Sequence, residues 1–187
     1  MSWIHLVRNL RRPLRSYLRN PRHVVKNIRW RWNPSTSSER HIFVVGAPRS
    51  GTTLMQILIG NHPKCVYDGE TGVFKYRNIF EEQKQIFGLD PEFVESKFRE
   101  CSDIVEFFDI CARNFKNLSG GEYLVEKSPA HIFRTKFLID NFVESFVVHI
   151  YRDGRDCFCS ARSASIPHGD SVEDYCTVRC EFVIFAW

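Results

Sequence analysis

The residues best placed to do chemistry in this chain are Arg49, Ser50, Thr52 and Thr53, set in a loop bounded by Gly46 and Gly51. A β-branched apolar run, Ile42 to Val45, enters the loop, and Leu54, Ile57 and Leu58 leave it at i, i+3, i+4 spacing. Strand, loop and helix in that order aim successive backbone N–H groups at one spot at a helix N-terminus, a ready anion site. The expected ligand carries phosphate or a group shaped like it. A Walker A loop would need Lys where this chain has Thr52. A nucleoside triphosphate site uses that Lys on the β/γ-phosphates and a hydroxyl on Mg²⁺. Here the cation is Arg49, inside the loop, so a metal-free phosphate-like ligand held by Arg and hydroxyls fits better.

Other polar clusters close other apolar stretches. Asp68-Gly69-Glu70-Thr71 follows the short strand pattern Cys65 to Tyr67, and Glu126-Lys127-Ser128 follows Tyr123 to Val125. Arg152 through Ser160 follows Ser145 to Tyr151 (SFVVHIY), which reads as the clearest interior strand. Between them lie helical stretches. One starts at Asp90-Pro91, with Asp as N-cap and Pro at the first helical position, is broken near Cys101-Ser102-Asp103, and stops at Ser119-Gly120-Gly121. Ile132 to Asn141 reads as another helix, and one more leaves Arg152-Asp153-Gly154-Arg155. Strands alternating with helices predict an α/β fold, P-loop-like and three-layered, with a central parallel sheet flanked by helices. Ligands of such sheets bind outside the carboxyl ends of the strands, which is where all these clusters fall.

The 187 residues predict one domain, and 43% apolar with 26% charged content is ordinary for a globular protein. The net charge of +4 divides unevenly, +9 over residues 1–40 and −5 over the rest. Residues 1–32 place Trp3, Leu6, Val7, Leu10, Leu14, Tyr17 and Leu18 on a rough helical stripe among arginines, interrupted by Pro13 and Pro21. That segment suits either an anionic membrane surface, as a peripheral contact, or the protein's own body. Trp30 and Trp32 sit among arginines, but no nucleic-acid-binding motif accompanies them. Asn33 to Ser38 reads as a linker, so the expected division is a basic segment and linker over 1–40 and a domain over 41–187. Seven scattered cysteines (65, 101, 111, 157, 159, 176, 180) predict reduced thiols, with Cys176 and Cys180 read as packing residues rather than metal ligands. The chain opens without a signal-peptide core and has no run of the roughly 18–20 apolar residues a spanning helix needs, so a cytoplasmic location is expected.

Gly46-Ala47-Pro48-Arg49-Ser50-Gly51-Thr52-Thr53 resembles the 5′-phosphosulfate loop of sulfotransferases that use 3′-phosphoadenosine 5′-phosphosulfate. Tyr151-Arg152-Asp153-Gly154-Arg155-Asp156, with Ser160 eight residues after Arg152, resembles their 3′-phosphate segment. Pro48 to Met55, His62-Pro63 and Glu70-Thr71 are similar in order and spacing to the protein-tyrosine sulfotransferases, and Glu126-Lys127-Ser128-Pro129 to the heparan-type enzymes. The likeness covers roughly residues 41–187 and is nearest to the membrane-associated and bacterial branch.

The resemblance implies sulfuryl transfer from that donor to a hydroxyl (or amine) acceptor such as a sugar, a lipid headgroup or a protein tyrosine, without a metal. The acceptor must lose a proton as it attacks, so a carboxylate beside it serves as general base, and Glu70 is the candidate. Charge builds on the leaving phosphate oxygen, where Arg49 and Lys127 with the Gly51 to Thr53 amides and hydroxyls would stand. Ser50, Thr52 and Thr53 belong to the same donor-binding loop, and Arg152 and Ser160 would hold the 3′-phosphate by charge-assisted hydrogen bonds. His131 is a rival base. Glu126 is expected to pair locally and His149 to be a buried core residue. Arg155 reads equally as a ligand or a helix-start charge, and Arg162 could reach the nucleotide. The apolar stretch Glu181 to Trp187 ends without a polar tail, so a C-terminally shortened domain is expected, with weak donor binding or poor turnover. A nucleotide kinase or NTPase, and a non-catalytic nucleotide-binding protein acting at a membrane, are the alternative readings.

Overall fold

The computed structural model of the chain describes residues 21–74, 79 and 86–163. The stripe from Trp3 to Leu18, the Cys176 and Cys180 pair, the side chain of Arg162 and the stretch Glu181 to Trp187 lie outside the described residues, as do residues 75–78 and 80–85. In chain order the elements are α1 (Pro21–Trp32), β1 (His41–Gly46), α2 (Thr52–Gly60), β2 (Cys65–Tyr67), α3 (Pro91–Glu100) and α4 (Ile104–Ser119). There follow β3 (Tyr123–Lys127), a 3₁₀ turn (Pro129–Arg134), α5 (Thr135–Asn141), β4 (Phe146–Ile150) and α6 (Gly154–Ser163).

The strands form one parallel sheet in the order β2-β3-β1-β4, with Val44 beside Lys127 and Gly46 beside Ile150. Strand alternation sends Phe43, Val45 and Leu124 to one face and Val44 and Val125 to the other. The first face carries the core, where Phe43 meets Phe74, Phe108 and Phe142 under α4. The fold is the expected α/β arrangement, a central parallel sheet between helices.

The helix boundaries follow local chemistry. Asp90 caps α3 by accepting from Glu92 N–H, ahead of Pro91. Asp103 caps α4 by accepting from the Val105 and Glu106 amides, which is why the helical stretch breaks there. Gly120 closes α4 in the left-handed conformation at φ 73°. The segment expected to be one helix from Ile132 divides instead into the 3₁₀ turn and α5, because Pro129 starts a tighter turn directly after β3.

The expected places of the SFVVHIY strand and of His149 are corrected. The SFVVHIY strand, β4, takes an edge of the described sheet, while β3 and β1 hold the interior. Phe146 is 62% exposed and His149 is exposed rather than buried, because a run of apolar residues marks a strand without fixing its place in the sheet. The stripe Leu54, Ile57 and Leu58 on α2 faces outward, with Leu54 62% exposed. The buried residues of that helix are Thr52 and Gln56.

The described residues ahead of β1 are tied to the body. Trp30 is buried against Phe98 and Phe107, and Lys26 lies over its ring and donates to Phe98 O. In the stretch read as a linker, Ser35 donates through N–H and Oγ to Asp103, and Ser37 N–H donates to Asn141 O. Glu39 is held by Arg113 and Lys116 of α4. No described helix is long and apolar enough to cross a membrane.

Candidate active site

The loop from Gly46 to Gly51 is drawn tight against the end of β4. A Cβ on Gly46 would stand 2.6 Å from the Ile150 carbonyl oxygen and 3.0 Å from Ser50 Oγ, so only glycine admits that approach. Gly51, at φ 105°, turns the chain into α2, and Arg49 is itself left-handed at φ 70°. Ser50 spends both its donors inside the loop, its Oγ–H at 2.6 Å and its N–H at 3.1 Å from Ala47 O. Ser50 therefore shapes the cradle. The first amides of α2 have no partner within the helix. Thr52 is buried and Thr53 exposed.

Arg49 reaches across to α6, where its Nε donates to Ser160 Oγ at 3.2 Å. Arg152, just past β4, donates through Nη1 to Arg49 O at 3.4 Å and has Asp156 at 3.8 Å from its Nε. Residues that the sequence placed after two different strands, Arg49 after one and Arg152 with Ser160 after the other, thus meet, with both guanidinium groups at the surface. Arg155 is engaged elsewhere. Its Nε and Nη2 and its backbone N–H all donate to Asp153, which brings the Asp153 carboxyl down to about 2. That makes Arg155 a helix-start charge in this structure.

A second cluster occupies the same rim of the sheet, at the ends of β2 and β3. Lys127 Nζ donates to Glu70 Oε1 at 2.7 Å, with the Lys side chain 7% and the Glu side chain 55% exposed. The loop carrying Glu70 is pinned from below by Gln56, whose Nε2 donates to Asp68 O at 2.8 Å and Val125 O at 3.1 Å. Lys127 thus has its amine at the mouth of the sheet and Glu70 keeps a solvent-facing oxygen.

Glu126 points to the opposite face and is fully buried. Its carboxylate accepts from Thr71 Oγ1, Ser128 Oγ and His131 Nδ1. Burial pushes this carboxyl up, but His131, Ser128 and Thr71 together outweigh it and hold the group below the usual carboxylate range. His131, also buried, accepts from Phe74 N–H at its other nitrogen, so both ring nitrogens are occupied. It is a packing residue here, and the rival-base reading loses its footing. The sequence offered one sign of this network, an acidic residue inside an apolar strand with hydroxyls nearby. Gln56 it gave no sign of at all.

A sulfotransferase family model matches residues 41–177. The chain is also similar to an uncharacterized protein of Aquifex aeolicus (strain VF5), 29% identical over 139 residues that make up 71% of this chain and 18% of that protein. The chain therefore spans less than a fifth of that relative. The match begins where β1 begins and takes in the Arg49 loop, the Glu70–Lys127 pair and the Arg152 to Ser160 segment. On that extent, well over half of its residues, the chain belongs to the sulfotransferase family.

Proposed function

We propose that this domain transfers a sulfuryl group from 3′-phosphoadenosine 5′-phosphosulfate to an acceptor hydroxyl or amine, with Glu70 as general base. The observation that carries the reading is the 2.7 Å contact of Lys127 with Glu70, on the same sheet rim as the meeting of Arg49, Arg152 and Ser160. The residues suit a donor with two separated anionic groups. The glycine-tight loop and the α2 amides fit the 5′ end, and Arg152 with Ser160 fits the 3′-phosphate.

The donor supplies the sulfur and a phosphate leaving group. Glu70 takes the proton from the attacking acceptor as the new O–S (or N–S) bond forms and the S–O bond to phosphate breaks. Lys127 and Arg49 stabilise the charge that develops on the leaving oxygen, and 3′-phosphoadenosine 5′-phosphate departs. With Lys127 drawn onto the donor, Glu70 gives up its ion pair and is free to accept the proton. Thr52, where a Walker loop has its Lys, is buried, which favours this reading over a kinase or NTPase.

Calorimetry with 3′-phosphoadenosine 5′-phosphate tests the donor. Binding at least 10-fold tighter than 5′-AMP or ATP is expected, with the preference lost in Arg152→Ala. Equal affinities would overturn the reading. For the base, Glu70→Gln should keep nucleotide affinity while transfer falls about 10²–10⁴-fold, the usual worth of general-base catalysis.

Peripheral membrane contact through the N-terminal segment has its own support. Val25, Ile28 and Trp32 lie at i, i+3, i+7 on α1 and are exposed, Trp32 by 84%, with Arg29 exposed beside them. Co-sedimentation with phosphatidylserine vesicles, reduced in Trp32→Ala and absent with phosphatidylcholine alone, is the expected result.

A further inference from the structure

Glu126 does more than fill its place in β3. Its Oε1 accepts from Thr71 Oγ1 at 2.8 Å and Ser128 Oγ at 2.6 Å, and its Oε2 from His131 Nδ1 at 3.0 Å. The bonds continue outward. Ser128 Oγ accepts from Gly72 N–H at 2.9 Å, and His131 Nε2 accepts from Phe74 N–H at 3.3 Å. A backbone N–H aimed at Nε2 fixes the tautomer, so the ring proton is on Nδ1 and points at Glu126. One carboxylate therefore holds, directly or through one side chain, Thr71, Gly72 and Phe74 of the loop that carries Glu70. Its own strand neighbour is Lys127.

We propose that Glu126 is the positioning residue of the Glu70–Lys127 pair, setting the Glu70 loop and the end of β3 in fixed relation. The inference rests on the reading of Glu70 as base. Thr71 follows Glu70, and Lys127 follows Glu126, so each member of the pair is one residue from a group in the same buried cluster. A buried carboxylate is costly unless its lone pairs are met, and here three donors meet them in fixed directions. An apolar side chain could fill the same space, but it could not specify the loop. Displacement of a catalytic group by about 1 Å costs on the order of 10²-fold in rate.

Glu126→Gln retains the shape and removes one acceptor. His131 Nδ1–H and the Thr71 and Ser128 hydroxyls then face an amide, and one donor is set against another. Thr71→Val removes the bond to Glu126, along with the longer one that Thr71 Oγ1 accepts from Val73 N–H at 3.5 Å, and leaves the carboxylate with its other two donors, in case Glu126→Gln fails to fold. Thr71→Ser retains the hydroxyl and serves as the rescue.

The test reads hydrogen exchange at the Gly72 and Phe74 amides and acylation of Lys127 by acetic anhydride, with Lys64 and Lys136 as exposed references. In Glu126→Gln and Thr71→Val, both amides should exchange about 10-fold faster and Lys127 acylate several-fold faster. Val44 and Val45 amides in β1 should be unchanged, and Thr71→Ser should match the wild type. Binding of 3′-phosphoadenosine 5′-phosphate should stay within about 2-fold in every variant. Unchanged loop exchange and Lys127 labelling in both variants would overturn the proposal. So would uniform acceleration across β1 and the loop, which would mark Glu126 as a general stability residue. Failure of the wild type to prefer the bisphosphate nucleotide over 5′-AMP would instead strike the function, since the exchange and labelling results are read without any ligand.

Discussion

Gly46→Ala puts the loop geometry at risk with a single methyl group. The added Cβ would lie 2.6 Å from Ile150 O, against an ordinary contact of 3.4 Å or more, so loop and strand must part by about 0.8 Å. Neither side yields easily. Gly46 and Ile150 are the last paired residues of β1 and β4, and the atom in the way is backbone. Overpacking of this kind costs about 1–3 kcal/mol, and loss of the last ladder hydrogen bond adds about 1 kcal/mol. The reduced freedom of Ala in the unfolded chain restores roughly 0.4–1 kcal/mol. The net loss of about 1–3.6 kcal/mol lowers Tm by roughly 2–14 °C in a chain of this size.

The same movement reaches the site. The contacts of Arg49 with Ser160 and Arg152, at 3.2 and 3.4 Å, span the gap that would open, and a further 0.8 Å takes both out of hydrogen-bond range. Affinity for 3′-phosphoadenosine 5′-phosphate should therefore fall about 10-fold, equivalent to about 1.4 kcal/mol. Two other glycines separate the causes. Gly51→Ala meets no atom within 4 Å but must hold φ 105°, at a cost of about 1–2 kcal/mol. Gly69→Ala has open space and should stay within about 0.5 kcal/mol of the wild type. Thermal unfolding and calorimetry on the three variants give the answer. If Gly46→Ala melts and binds like Gly69→Ala, the tight seat of the loop on β4 is wrong.

Trp30→Ala should destabilise the domain by about 3–5 kcal/mol in urea unfolding, because the ring is buried against Phe98 and Phe107. Trp32→Ala, two positions on and exposed, should change stability by no more than about 0.5 kcal/mol. Acid should weaken the fold through Glu126 and Glu39, both held below their ordinary value of 4.5, Glu39 by Lys116 and Arg113 against the upward push of its burial. A depressed folded-state pKa means that the unfolded state takes up protons first as pH falls. The contribution is thus complete above the ordinary value, and is lost as pH drops below about 4.5 and through the folded-state values. Urea midpoints measured from pH 7 to pH 3 should fall in that lower window, and Glu126→Gln should flatten the decline.

Much of the candidate site was legible because its signals are local. A β-branched run, a glycine-bounded turn and a helical spacing place Arg49 at a strand end without reference to the rest of the chain. Lys127 and Glu70 likewise fall directly after apolar stretches. Glu126 was harder, since its neighbour in sequence is the lysine it does not bond, and its partner Thr71 is 55 residues away. Strand alternation alone predicts that adjacent Glu126 and Lys127 face opposite ways, but only the fold supplies the hydroxyls and the imidazole that make the inward carboxylate tolerable.

Helix α2 shows the limit most clearly. Its apolar stripe announces a helix correctly, and the ordinary inference that the stripe lies inward is wrong by half a turn. The inward side carries Gln56, whose amide holds Asp68 O and Val125 O together. Those carbonyls belong to the Glu70 loop and to β3, so the helix that begins at the Gly46 to Gly51 loop also ties the Glu70 loop to β3. A Leu at that position would suit the core and leave two carbonyls unmet, at about 1–3 kcal/mol for each lost partner. The polar inner face of α2 is thus explained by the site it spans, and periodicity, which ranks residues by their wish to avoid water, had no means of showing it.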